Sequence, residues 1–150
     1  MRILGIDPGI RGAFALAEKS GVVMCEVMPE STEEIISLIQ NWEPTHVYIE
    51  KAQAMPKQGV SSVFSYGTGF GILIGIVKTL KLPMRLVPSR EWTKSIHLGT
   101  SSGTAKERSK EAALNLFPNI NFLASPRSKK LHDGLIDACC LAEFARRELK

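Results

Sequence analysis

Four acidic residues carry the clearest chemical signal in this chain. Asp7 follows the apolar run Ile3-Leu4-Gly5-Ile6 and precedes Pro8-Gly9, Glu50 closes the run Val47-Tyr48-Ile49, and Asp133 and Asp137 stand four apart at the head of a C-terminal helical pattern. Carboxylates are rarely buried without a partner, so one at the tip of each of two apolar strands calls for a counter-charge. If the strands are neighbours and the helix crosses their ends, all four converge. Clustered like charges need cations to hold them, and hard divalent ions such as Mg²⁺ prefer oxygen ligands. The chemistry this predicts is phosphoryl transfer at a two-metal site. Asp7 would contact both ions, Glu50 and Asp137 would complete the coordination, and Asp133 would hold the more exposed ion.

The elements that must position these residues follow from periodicity and punctuation. Arg2–Asp7 reads as a strand, Pro8-Gly9 as a turn, and Gly12–Glu18 and Val22–Met28 as two further strands in an antiparallel meander. Ser31 with Glu34 forms a capping box for a helix reaching about Asn41, with Ile35, Leu38 and Ile39 as its apolar stripe. Thr45–Glu50 is a fourth strand, reached through a helical crossover and so parallel to the first. The stretch Lys51–Gly59 precedes a long helix over 60–82, and Met84–Pro88 is the fifth strand. Ser89 is placed to cap a short helix that ends before the His97–Gly103 loop. Thr104 and Glu107 make a second capping box, for a helix ending near Phe117-Pro118, and a last helix covers 131–149.

Composition is compatible with this plan. The 150 residues, 44% of them hydrophobic, suffice for one globular domain with a core, and no repeat, low-complexity tract or second domain is evident. Cys25, Cys139 and Cys140 show no C-x-x-C spacing and leave an odd count. Structural thiols in a reducing cytoplasm are therefore expected, without a zinc site or disulfide frame. No signal-peptide pattern precedes the first strand. The stretch 60–77 has no charged residue, but four glycines together with Ser61, Ser62, Ser65, Tyr66 and Thr68 make a buried helix the expectation, not a membrane span.

The net charge of +4 is unevenly spread. Residues 78–130 hold 11 of the 19 Lys and Arg but only 3 of the 15 Asp and Glu, while both flanking parts are net negative. A basic half beside an acidic cluster suits an enzyme that must attract the phosphates of a polymer. A solvated basic face would show the same composition.

The ordered set of motifs resembles the RuvC-type Holliday-junction resolvases of the RNase H-like superfamily, most of all the compact versions carried by bacteriophages. The residues that carry the resemblance are Ile3-Leu4-Gly5-Ile6-Asp7-Pro8-Gly9, Val47-Tyr48-Ile49-Glu50, Gln58-Gly59-Val60-Ser61-Ser62 with the following helix, Pro88-Ser89-Arg90-Glu91-Trp92, and His132-Asp133-Gly134-Leu135-Ile136-Asp137-Ala138. They span almost the whole chain. The fold implied is α/β and RNase H-like: a five-stranded mixed sheet, its first three strands antiparallel, strands four and five parallel to strand one. The activity implied is a Mg²⁺-dependent crossover junction endodeoxyribonuclease with two ions per site, Mn²⁺ able to substitute and no nucleotide cofactor. Paired nicks across a four-way DNA junction would leave ligatable 5′-phosphate ends, and two symmetric nicks imply a C2 homodimer. A chain of phage origin would work in the host cytoplasm.

Two departures from the family pattern bear on the site. Bacterial members usually separate the last two acidic positions by two residues, whereas three intervene here. At about 100° per residue Asp133 and Asp137 still lie only about 40° apart, on one helix face, while His132 lies about 140° from Asp137. Some members use a histidine at the penultimate position, which makes His132 a rival ligand ranked below Asp133. The helix dipole alone would also favour an acid at Asp133. The second departure is Gln53, which stands where bacterial relatives carry an aromatic that probes the junction centre.

Candidate DNA contacts follow from charge and position. Arg11 in the first turn, Lys106, Arg108 and Lys110 in the opening turns of the fourth helix, and Lys129 and Lys130 beside the acidic pair are expected on phosphates, not bases. Gln53, Met55 and Phe64 are the candidates for base contact. Gly67, Gly71 and Gly75 recur every fourth residue of the long helix, and either a partner helix or the chain's own sheet would explain them. Two other functions stay open at this stage: a non-catalytic branched-DNA binder, and an RNase H-type nuclease acting on RNA–DNA hybrids. A two-domain actin-like or sugar-kinase phosphotransferase is disfavoured by length.

Overall fold

The computed structural model describes residues 1–150. Five strands, β1 (Ile3–Asp7), β2 (Ala13–Glu18), β3 (Gly21–Val27), β4 (His46–Glu50) and β5 (Met84–Val87), form one sheet in the order β3-β2-β1-β4-β5. β1 pairs antiparallel with β2, and β2 with β3, while β4 is parallel to β1 and β5 to β4. This is the mixed sheet expected. The helices are α1 (Thr32–Trp42), α2 (Val60–Thr79), α3 (Ser89–Ile96), α4 (Ala105–Leu116) and α5 (Asp133–Glu148). Both expected capping boxes are formed, Ser31 with Glu34 and Thr104 with Glu107.

The two-residue side-chain period of the strands divides the core into two layers. Leu4, Ile6, Phe14, Val47 and Ile49 face α1 and the end of α2, meeting Ile35, Leu38, Ile39, Leu73, Ile76 and Val77. Ile3, Ala13, Ala15, Ala17, Tyr48 and Val87 face the other way, onto α5 with α3 and α4 behind it. α5 is the most enclosed helix, buried from Gly134 through Ala145 apart from Asp137.

Three expectations need correction. The first concerns α2, which ends at Thr79 and is not a buried helix: only Leu73, Ile76 and Val77 are buried, and Val60 and Phe64 are 87% and 76% exposed. By length and composition alone it could cross a membrane. Lack of charge therefore reflects something other than coverage by this chain's own sheet.

The second concerns the glycines of α2. A Cβ built at Gly67, Gly69, Gly71 or Gly75 would meet nothing within 4 Å, so packing against the chain's own sheet does not explain them. The third is Ser89, which is the first helical residue of α3 and not its cap; Pro88 holds the N-cap position without a side-chain bond. The Ser89 hydroxyl is used elsewhere.

Candidate active site

Strand register brings the first two carboxylates together. Ile6 pairs with Ile49 across the parallel β1–β4 ladder, so the next residues, Asp7 and Glu50, end neighbouring strands about 4.8 Å apart. Alternation places Asp7 on the side of Ile3 and Gly5, and Glu50 on the side of Tyr48, which is the face covered by α5.

Two glycines let α5 approach closely enough to deliver the second pair. A side chain at Gly5 would lie 2.7 Å from the Ala138 carbonyl oxygen and the Ala142 nitrogen, so the α5 backbone rests directly on β1. A side chain at Gly134 would come within 2.3 Å of the Arg11 carbonyl oxygen, which seats the start of α5 against the β1–β2 turn. Held by these contacts, the first turns of α5 bring Asp133 and Asp137 to Asp7.

Protonation behaviour reports the resulting crowding. Burial, then Asp137, Glu50 and Asp133, raise the Asp7 carboxyl from 3.8 to about 9. Burial, then Glu50 and Asp133, raise Asp137 to about 7, with Lys106 opposing. Asp7 thus feels the other three predicted carboxylates, and Asp137 feels Glu50 and Asp133. No three His, Cys, Asp or Glu side chains close on one point as an ion cage. Glu50 accepts hydrogen bonds from Ser89 Oγ at 2.8 Å and Trp92 Nε1 at 2.7 Å, and Asp133 is paired with the Lys106 ammonium. The donor set itself, four carboxylates with a single ammonium beside them and no nitrogen or sulfur among them, fits a hard divalent cation such as Mg²⁺.

The remaining predicted residues fall into distinct places. His132 is the N-cap of α5, its Nδ1 accepting from the Leu135 amide at 3.2 Å. Lys106 sits at the site on Asp133, while Lys110, Lys129 and Lys130 are exposed around it in sequence. Arg108 is half-buried and bonded within the chain, Nε to Thr100 Oγ1 at 2.9 Å and an NH₂ group to the His97 carbonyl at 3.0 Å. Gln53 and Met55 are exposed in the loop after β4, and exposed Phe64 lies on α2, outside the core.

Arg11, Asp7 and Asp133 share a groove of about 1180 Å³ with the first half of α2 and the N-terminus of α1. Tyr66 is a site residue that motif reading missed. Its ring would touch a Cβ at Gly9 at 3.0 Å, and burial with the charges of Asp7 and Glu50 pushes its phenol up to about 12, keeping it a neutral donor. The available signal was the hydroxyl-bearing set Ser61, Ser62, Ser65 and Tyr66 within an uncharged helix, all of which line this groove.

The sequence matches no protein-family model and no curated protein. Its structure is similar to that of Thermus thermophilus RuvC in complex with a Holliday junction substrate, with TM-score 0.68 and 16% identity over 99% of this chain and 96% of that one. The chain has the fold of the RuvC-type resolvases. The fowlpox virus resolvase, in complex with substrate Holliday junction DNA, superposes with TM-score 0.65 at 13% identity, covering 99% of both chains. The yeast mitochondrial Holliday junction resolvase Ydc2 follows with TM-score 0.60 and 15% identity, over 97% of this chain and 77% of that one. At these identities it is the RuvC-type architecture that is shared.

Proposed function

We propose that this chain is a divalent-metal-dependent, structure-selective DNA endonuclease that resolves Holliday junctions and other branched DNA by paired symmetric nicks. The observation that carries this reading is the meeting of Asp7, Glu50, Asp133 and Asp137 at one end of a RuvC-type sheet, with Lys106 beside them. These four residues would hold two Mg²⁺ ions, or Mn²⁺, and bound ions would supply water activation and charge stabilisation at the leaving 3′ oxygen.

The chain's own groups have separable tasks. Trp92 and Ser89 hold Glu50 in one orientation, so that this carboxylate does not have to be ordered at each turnover. Lys106 lies beside the outermost carboxylate, where a phosphate oxygen could exchange for Asp133. Neutral Tyr66 offers a hydrogen-bond donor within the groove. Mg²⁺-dependent nicking of a four-way junction, compared with a linear duplex and an RNA–DNA hybrid, tests the reading. Equal cutting of the duplex would remove the branch selectivity. Cutting of the hybrid alone would assign an RNase H-type nuclease, and binding without cutting a non-catalytic junction binder.

A second copy of the chain is proposed on the open face of α2. Val60, Phe64, Gly67, Gly71 and Gly75 fall within about 80° of one another on the helical wheel, roughly opposite buried Leu73 and Ile76. An exposed apolar stripe grading into glycines suits close helix–helix approach. Because nothing within the chain occupies that space, Gly71→Leu should fold with a melting temperature within a few degrees of the parent. It should be monomeric by sedimentation and bind junctions weakly. A Gly71→Leu dimer with full activity would take this face out of the interface.

Sequence preference is expected to be weak. Neither Gln53 nor Met55 supplies the stacking face favoured by a wedge into paired DNA, and Phe64 lies on the proposed partner face. Cut sites mapped on mobile junctions should scatter over many sequences. Cutting confined to one short consensus would show that a base reader operates, with Met55 the first residue to substitute.

A further inference from the structure

A second cationic site lies away from the carboxylates, in a pocket of about 370 Å³ between α3 and the opening of α4. Arg90, Thr93, Lys94, His97, Thr100 and Arg108 contribute to its wall, and no carboxylate lines it. Arg90 and Lys94 are four apart on α3 and so share a face, about 160° around the helix from Trp92, which holds Glu50. None of Arg90, Lys94 and Arg108 takes part in an ion pair. Three unpaired positive charges around one concavity repel one another and are relieved by an anion.

The pocket is also organised. Thr100 donates to the His97 carbonyl at 2.8 Å and accepts from Arg108 Nε, and Arg108 bonds the same carbonyl, so the guanidinium is locked with three of its five N–H donors uncommitted. His97 is itself held by Ser109 at 2.8 Å. Gly99, at φ +83, turns the rim between them. A fixed guanidinium flanked by a second arginine, a lysine and hydroxyls matches a phosphate group in charge and donor geometry. The volume is near the low end of ligand pockets, which run ~300–1,000 Å³, and the one ring in the lining, His97, is buried and held by Ser109, so it offers no open face to a base.

We propose that this pocket seats a single backbone phosphodiester of the bound DNA, at a position other than the one cut. The assignment rests on the branched-DNA reading above. It gives Arg108 a role different from that of a free surface cation, and brings in Arg90 and Lys94.

The test uses the full chain carrying Asp7→Asn, so that DNA binds without being cut. Four-way-junction affinity is measured against salt for this parent, for Arg90→Gln/Lys94→Gln, and for Lys78→Gln/Lys81→Gln, which loses equal charge elsewhere. Loss of one phosphate contact should lower the slope of log K against log salt by about 0.9 in the Arg90/Lys94 variant only. One methylphosphonate position per strand should weaken the parent and leave that variant unaffected. Unchanged thermal melting shows that the variant is folded. A slope equal to the parent's overturns the proposal, as does an equal fall in the control. Inorganic phosphate that binds the parent but not the variant, with no change in DNA slope, assigns the pocket to free phosphate and also overturns it. A parent that does not bind junctions at all defeats the DNA reading itself, which is a separate result.

Discussion

Asp7→Asn is expected to abolish Mg²⁺-dependent nicking while raising the melting temperature of the metal-free protein. Both effects have one cause. Asp7 is the most crowded carboxylate of the cluster, inside the folded sheet and beside three like charges. In the unfolded chain its proton leaves near 3.8, and in the metal-free fold only near 9. Between those values the native state binds a proton that the unfolded state does not, so stability falls as pH rises through this window. The Asn side chain keeps the shape and removes the penalty. At pH 8 in EDTA a gain of at least ~2 kcal/mol is expected, or about 4–8 °C for a chain of this size. Below pH 4 the two proteins should melt together. Mg²⁺ should raise the melting temperature of the parent more than that of the variant, because only the parent gains a neutralising ion. Junction binding should be unchanged or tighter, since one negative charge near the phosphates has gone. Substantial cutting by the Asn variant, or a lower melting temperature in EDTA, would defeat the assignment of Asp7.

The second large effect separates the first residue of α5 from its N-cap. Asp133→Asn should reduce nicking at least ~100-fold, the scale on which losing a single transition-state contact is felt. His132→Ala should retain activity within a few-fold and lose about 1 kcal/mol of stability, because its ring caps the helix through the Leu135 amide. The two readouts therefore exchange: Asp133→Asn should melt at or above the parent temperature in EDTA, and His132→Ala below it. An inactive His132→Ala with an active Asp133→Asn would mean that α5 is rotated from the phase seen here. Lys106→Gln offers an internal check on the same corner of the site. It should weaken junction binding with little loss of folding stability, since an exposed ion pair contributes little.

Much of the site was legible because its parts obey local rules. The apolar run before Asp7 and the run before Glu50 each specify a strand whose end must be polar. A helical crossover makes the two strands parallel, and a four-residue spacing keeps Asp133 and Asp137 on one face whatever α5 packs against. Both capping boxes were readable for the same reason: each is closed within three residues of chain. Interactions of that range are encoded where they occur.

What tertiary structure alone decided involves contacts between distant segments. Ser89 looks like a cap in sequence, yet its hydroxyl meets a carboxylate 39 residues earlier, and Trp92 reaches the same group from 42 residues away. Arg108 reads as a free cation until Thr100 and the His97 carbonyl are found against it. Gly5 matters because the α5 backbone lies where its side chain would be, a contact across more than half the chain. α2 was misjudged for a related reason. An uncharged helix has the same composition whether its sheet or another surface covers it, and only the packed fold leaves the Val60–Gly75 stripe open. Periodicity specifies which face of an element is apolar; what that face meets is set by how the elements dock.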